Sequence, residues 1–90
     1  MKDNDQNTLI EFPCYFPIKV MGEAQEDFTK MVVIIIKKYD KNFNESAIEI
    51  KGSSQGRYIG LTCNIYVTSK KQLDAIYSEL SGLSITKFVL

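Results

Sequence analysis

An α+β sandwich, with two helices laid on one face of a four-stranded antiparallel sheet, is the fold class that these 90 residues predict. Three observations carry that reading. Apolar residues alternate at the strand period over 59–67, they recur at the helical period over 28–39 and 73–80, and glycine-bearing turn segments separate the blocks. A chain of this length, 44% hydrophobic and 24% charged, is ordinary globular composition with room for one core.

Residues 1–8 are polar and without periodicity, and are expected to form a disordered tail ahead of a single domain over 9–90. Leu9 to Pro17 is apolar but interrupted by Pro13 and Pro17, which cannot donate to a sheet ladder, so regular pairing is expected only from Phe16. Phe16, Ile18 and Val20 then alternate with Pro17, Lys19 and Met21 as far as Gly22. The block Val32 to Ile36 is β-branched throughout, and by propensity alone it reads as a strand. Phe28, Met31, Val32, Ile35 and Tyr39 nevertheless fall on one helical face. Glu23, Glu26 and Asp27 precede them and Lys37 and Lys38 follow, the polarity that suits a helix macrodipole. The sixteen residues 24–39 also exceed an ordinary strand, so a helix is expected there.

A polar loop over 40–46, with Phe43 turned inward, leads to a second strand in which Ile48 and Ile50 alternate with Glu49 and Lys51. Gly52, Ser53, Ser54 and Gly56 supply a hairpin turn. In the third strand Ile59, Leu61, Cys63, Ile65 and Val67 face one way, and Tyr58, Gly60, Thr62, Asn64 and Tyr66 the other. Ser69 and Gln72 have capping-box spacing, Leu73, Ile76, Tyr77 and Leu80 form a second helical face, and Gly82 is expected in the left-handed position that closes it. Ile85 to Leu90 make a last strand. The order β-α-β-β-α-β is that of the ferredoxin-like sandwich, and right-handed crossovers set the strands in spatial order 4-1-3-2. With the first and third strands central, Cys14 is expected near Cys63 beneath the helices.

Eleven Lys and Arg balance eleven Asp and Glu, so no net field draws the chain to nucleic acid or an anionic membrane. The chain has no histidine, which excludes Ser-His-Asp and Cys-His catalysis, imidazole zinc sites and histidine switching. No other acid–base or nucleophilic pairing emerges from the spacing. The expectation is a protein that is not an enzyme, with no cofactor and no metal. The first seven residues lack the apolar segment of a secretory signal, and the longest apolar run, Met31 to Ile36, has six residues. Two cysteines do not make a disulfide framework, so a cytoplasmic protein with both thiols reduced and buried is expected.

The run Leu9-Ile-Glu-Phe-Pro-Cys-Tyr-Phe-Pro-Ile-Lys-Val-Met-Gly-Glu-Ala-Gln-Glu-Asp-Phe28 resembles the opening of the YbeD-like family of small bacterial proteins. The segments Ser54 to Thr62 and Thr68 to Tyr77, and the Val89-Leu90 ending, extend the resemblance over residues 9–90. It implies a ferredoxin-like fold similar to the ACT-type regulatory domains that bind amino acids. It also implies an association with lipoate metabolism through gene neighbourhood. ACT domains often carry an Asp/Asn-x-x-Gly loop after the first strand. Here Lys19-Val20-Met21-Gly22 keeps the glycine but not the acidic or amide partner.

Two kinds of site follow. Gly22, Glu23, Ser53, Ser54 and Arg57 lie on loops that the topology brings to one end of the sheet. Backbone N–H groups, two hydroxyls and a guanidinium suit a small anion or carboxylate there, although Glu23 opposes one. Val33 and Ile34 depart from the core-facing stripe, and the last strand is an edge guarded by Lys87 beside Val89. An interface with an unknown protein partner, or with a second copy as a homodimer, is expected at these four residues. The favoured reading is therefore a regulatory or adaptor module that acts by association, with no membrane partner. The alternative is an ACT-type sensor of an amino acid or carboxylate. RNA binding through the uncovered sheet face ranks below both, because Arg57 to Asn64 does not meet the aromatic pattern of the RRM.

Overall fold

Two ten-residue strands, β1 (Cys14–Glu23) and β3 (Tyr58–Val67), form the antiparallel centre of a four-stranded sheet in the computed structural model. The structure describes residues 11–52 and 55–90; the expected tail over 1–8 and the candidates Ser53 and Ser54 lie outside the described residues. α1 (Glu26–Lys37) and a short 3-10 turn (Glu45–Ala47) lead from β1 to β2 (Ile48–Gly52), and α2 (Lys70–Ser81) leads from β3 to β4 (Thr86–Val89). The sheet order β2-β3-β1-β4 is the expected 4-1-3-2 read from the other side. Among the described residues no helix is long and apolar enough to cross a membrane.

The core lies between the sheet and the two helices. Ile18 and Val20 from β1 and Leu61, Cys63, Ile65 and Val67 from β3 meet Phe28, Val32 and Ile36 from α1 and Ile76 and Leu80 from α2, all essentially closed to solvent. Each of the Val, Leu, Ile and Phe side chains contributes about 1.5–3 kcal/mol of burial. The β-branched block is indeed helical, because its register sets Val32, Ile35 and Ile36 against the sheet beside Phe28. Met31, expected in that stripe, sits at its exposed rim, and Ile36 takes the buried place. Phe43 is turned inward as expected.

β1 begins at Cys14 rather than Phe16, and the register explains why Pro17 does not interrupt it. Lys19 exchanges both backbone hydrogen bonds with Leu90, at 3.2 and 2.7 Å. Backbone direction repeats every two residues, so the nitrogen of Pro17 also points to the β4 side, past Leu90, where no strand among the described residues asks for an N–H. The same register corrects the cysteine expectation. Cys14 lies opposite Val67 while Cys63 lies opposite Ile18, so the two are separated by four residues, roughly 13 Å, along the sheet. Both thiols are free; Cys14 is half-buried, Cys63 wholly so, and burial pushes the Cys63 thiol up to about 12. A thiol reagent is expected to modify Cys14 in the native protein and Cys63 only on denaturation, because the thiolate is the reactive form. Equal reaction rates for the two in native protein would contradict this placement.

The helix ends follow their caps. The Ser69 hydroxyl accepts from the Gln72 N–H at 3.1 Å, and Gln72 Oε1 accepts from the N–H of Thr68 at 2.8 Å, one residue earlier than the usual capping box. Gly82 is not in the left-handed region; with φ −78° and ψ −10° it ends α2 in an ordinary helical conformation. The left-handed glycine is Gly56, at φ 71° in the β2–β3 turn. Across the helices, Glu79 on α2 accepts hydrogen bonds from Lys38 and Tyr39. These bonds hold the Glu79 carboxyl below its ordinary value and raise both Lys38 and Tyr39 above theirs.

Candidate functional site

The ends of β1 and β2 and the starts of β3 and β4 come together, as the strand directions require. At this end Glu23, Ala24 and Gln25 face Gly56, Arg57 and Tyr58 across a depression of about 330 Å³. Ala24 N–H donates to the Arg57 carbonyl at 2.9 Å, which ties the two loops. Glu23 is fully occupied: its N–H donates to the Ile85 carbonyl at 3.1 Å, one carboxylate oxygen accepts from Gln25 Nε2 at 2.9 Å, and the other lies 3.5 Å from Lys87 Nζ. Arg57 is exposed at the rim. Gly22 does not open into the depression. A Cβ there would meet the Phe28 ring at 2.5 Å and the Ile85 carbonyl at 2.9 Å, so this glycine serves the close approach of α1 to the sheet.

The candidate interface residues separate in a similar way. Ile34 is 64% exposed on the outer flank of α1, whereas Val33 is half-buried and packs on the core. β4 is an edge strand, as expected. The side chain of Val89 packs on the core, and Lys87 stands exposed over Glu23. The pairing of β4 with β1 shifts register between Met21 and Gly22, a bulge that bends the edge. β2 is the other edge, and Ile50 remains 58% exposed although it points to the helix side, because no helix among the described residues reaches over it.

The face of the sheet away from the helices carries a regular lattice of side chains. One row across the strands reads Lys51, Gly60, Met21, Phe88; the adjacent row reads Glu49, Thr62, Lys19, Leu90. Between them runs a groove of about 420 Å³. At the far end of this face the rings of Tyr15 and Tyr66 lie 5.1 Å apart and tilted by 59°. Beside them Asp40 accepts from the backbone N–H of Tyr66 at 3.1 Å, which satisfies β3 where β2 has not yet begun. The spacing of the sequence places Lys19, Met21, Glu49, Lys51, Tyr58, Thr62, Asn64 and Tyr66 here, but it misses Tyr15, ahead of the expected start of β1, and Phe88 and Leu90, beyond the bulge. Positive and negative charges are mixed on this face, which does not offer the basic track of a nucleic-acid groove. Among the described residues, no three Cys, Asp or Glu side chains gather in a way that could hold a metal ion.

Comparison with known proteins places this geometry in context. Residues 7–90 match the family model described as protein of unknown function (DUF493). A UPF0250 protein of Nitrosomonas europaea is 45% identical over 75 residues, covering 83% of this chain and 86% of that protein. Another, of Paraburkholderia phytofirmans, is 42% identical over 83 residues, covering 92% and 93% respectively. Among solved structures, the solution structure of protein HP0495 from H. pylori superposes with a TM-score of 0.76 at 20% identity, over 90% of this chain and 85% of that one. The ACT domain from GTP pyrophosphokinase of Chlorobium tepidum superposes with a TM-score of 0.62 at 19% identity, over 86% and 97%. Both structural likenesses concern the fold.

Proposed function

The chain belongs to the DUF493 family of UPF0250 proteins, the assignment that the YbeD-like resemblance also carries, and from that premise we propose a non-enzymatic regulatory or adaptor module that acts by protein association. The outer rim of β4 supports this reading. Because Lys19 and Leu90 exchange both of their backbone bonds, the N–H and C=O of Val89 turn away from β1. An added strand would give those groups their partners. Phe88 and Leu90 stand exposed beside the rim, and the guarding charge of Lys87 is already engaged by Glu23. The bulge confines regular pairing to the last residues of β4, so a partner takes the rest of its contact from the Phe88–Leu90 surface. The unpaired thiols fit a cytoplasmic setting for this activity.

A proline at position 89 tests the rim, because it removes an outward N–H, keeps part of the apolar side-chain contact with the core and leaves the bonds of Leu90 to β1 in place. Light scattering and affinity capture at high micromolar concentration are expected to show association of the wild-type chain, with itself or with another protein. Val89→Pro is expected to lose it while melting within a few degrees of wild type. A wild-type chain that stays monomeric and captures nothing would overturn the reading, as would association that Val89→Pro leaves intact.

A further inference from the structure

The middle of the open sheet face carries a separate inference, centred on Gly60. This residue sits in the interior of a central strand, where glycine adds unfolded-state entropy and forgoes packing. Its own backbone does not require it, since among the described residues the positive-φ glycine is Gly56. Its neighbours do not require it either. A Cβ at position 60 would meet the mobile Cε of Met21 at 3.4 Å and the Lys51 carbonyl at 3.8 Å, both ordinary contacts. In this it differs from Gly22, which the packing of Phe28 demands. What Gly60 does is leave the β3 backbone without a side chain of its own between Lys51 and Met21, on the floor of the 420 Å³ groove, with the flexible end of Met21 leaning toward it.

We propose that this groove is a binding site for a flat aromatic molecule bearing a single carboxylate. A strand without a side chain offers a planar floor on which a ring can lie against peptide groups. The Met21 thioether and the half-exposed Phe88 ring stand on the β4 side of that floor, and sulfur and aromatic edges both favour an aromatic guest. On the other side Lys51 flanks the floor, with Lys19 and the Thr62 hydroxyl in the adjacent row. Neither ammonium has a carboxylate within ion-pairing distance among the described residues, so both are available to an anionic head. Glu49 stands in the same row as Lys19 and Thr62 and limits the guest to one negative charge. The groove falls in the size range of small-molecule sites, mostly apolar with a few convergent polar groups.

The probe is 2-naphthoate, and 2-naphthylmethylamine is its shape-matched cation. Titrated into isotope-labelled protein and followed by amide chemical shifts, 2-naphthoate is expected to give saturable changes confined to Lys19–Met21, Lys51, Gly60–Thr62 and Phe88. Gly60→Val fills the floor; it is expected to weaken the probe by at least about tenfold while the melting temperature holds or rises. Lys51→Gln is expected to erase the preference for the carboxylate over the amine. The proposal is overturned if no saturable shifts appear up to the solubility limit, if they centre elsewhere, or if Gly60→Val binds the probe as wild type does. Gly60→Val and Lys51→Gln alter β3 and β2 and leave the β4 rim as it is, so their effect on the probe is read separately from the effect of Val89→Pro on association.

Discussion

Gly22→Ala is expected to lower stability by about 1–3 kcal/mol, the range for overpacking a well-filled core. For a domain of this size that corresponds to a melting temperature roughly 5–20 °C lower. The added methyl would stand 2.5 Å from Cζ of Phe28 and 2.9 Å from the Ile85 carbonyl oxygen. Neither obstacle yields easily. The Phe28 ring is fully buried among core side chains, and the Ile85 oxygen is held by the N–H of Glu23 at 3.1 Å. Shortening the ring offers a check on the cause: in Gly22→Ala/Phe28→Leu the two losses should sum to less than their separate values, the signature of groups in contact. A ligand-loop role for Gly22 makes the opposite forecast, since alanine would then leave the free protein as stable as before and affect only binding. Thermal unfolding of the free protein therefore decides between a packing glycine and a ligand glycine.

The order of the elements is legible in the sequence because each has its own period. β3 alternates without a break from Ile59 to Val67, and Ser69 with Gln72 marks the start of α2. Register is not legible in the same way. Sliding β1 past β3 by two or four residues keeps every inward side chain inward, so the alternation alone is consistent with Cys14 beside Cys63. The observed pairing sets Cys63 opposite Ile18 instead. Nor does alternation say how far a helix reaches over an edge, which is why Ile50 points to the helix side yet stays exposed. The expectation that pairing waits for Phe16 fails for a related reason. A proline argues against a strand only where a neighbour needs its N–H, and among the described residues there is none beside Pro17.

The candidate sites divide along the same line. Glu23 and Arg57 are brought to one depression because loop positions follow from topology, and topology follows from element order. The groove over Gly60 was half visible: its lysines and threonine alternate outward in sequence, but its floor and its apolar wall meet only once four strands are in register. A glycine at an outward strand position reads in sequence as a weak spot. Its surroundings give it a different meaning, since the flexible end of Met21 and the Lys51 carbonyl stand only at ordinary contact distance from where a Cβ would be.

Ile36→Ala is expected to destabilise the protein by about 2–5 kcal/mol, and Ile34→Ala to change stability by no more than about 0.5 kcal/mol. The two residues are identical, two positions apart, and inside one β-branched block. In α1 they diverge by about 200° around the helix axis; Ile36 is 0% exposed and Ile34 is 64% exposed. In a strand, residues two apart share a face and the two substitutions would have similar effects. Denaturant unfolding of the pair therefore reports the conformation of the block directly, and equal midpoints would mean that it is not helical. The same comparison isolates the outer flank of α1 from the fold. Because Ile34 adds little to stability, any loss of association in Ile34→Ala is a property of the surface. A loss seen in Ile36→Ala would be confounded by unfolding.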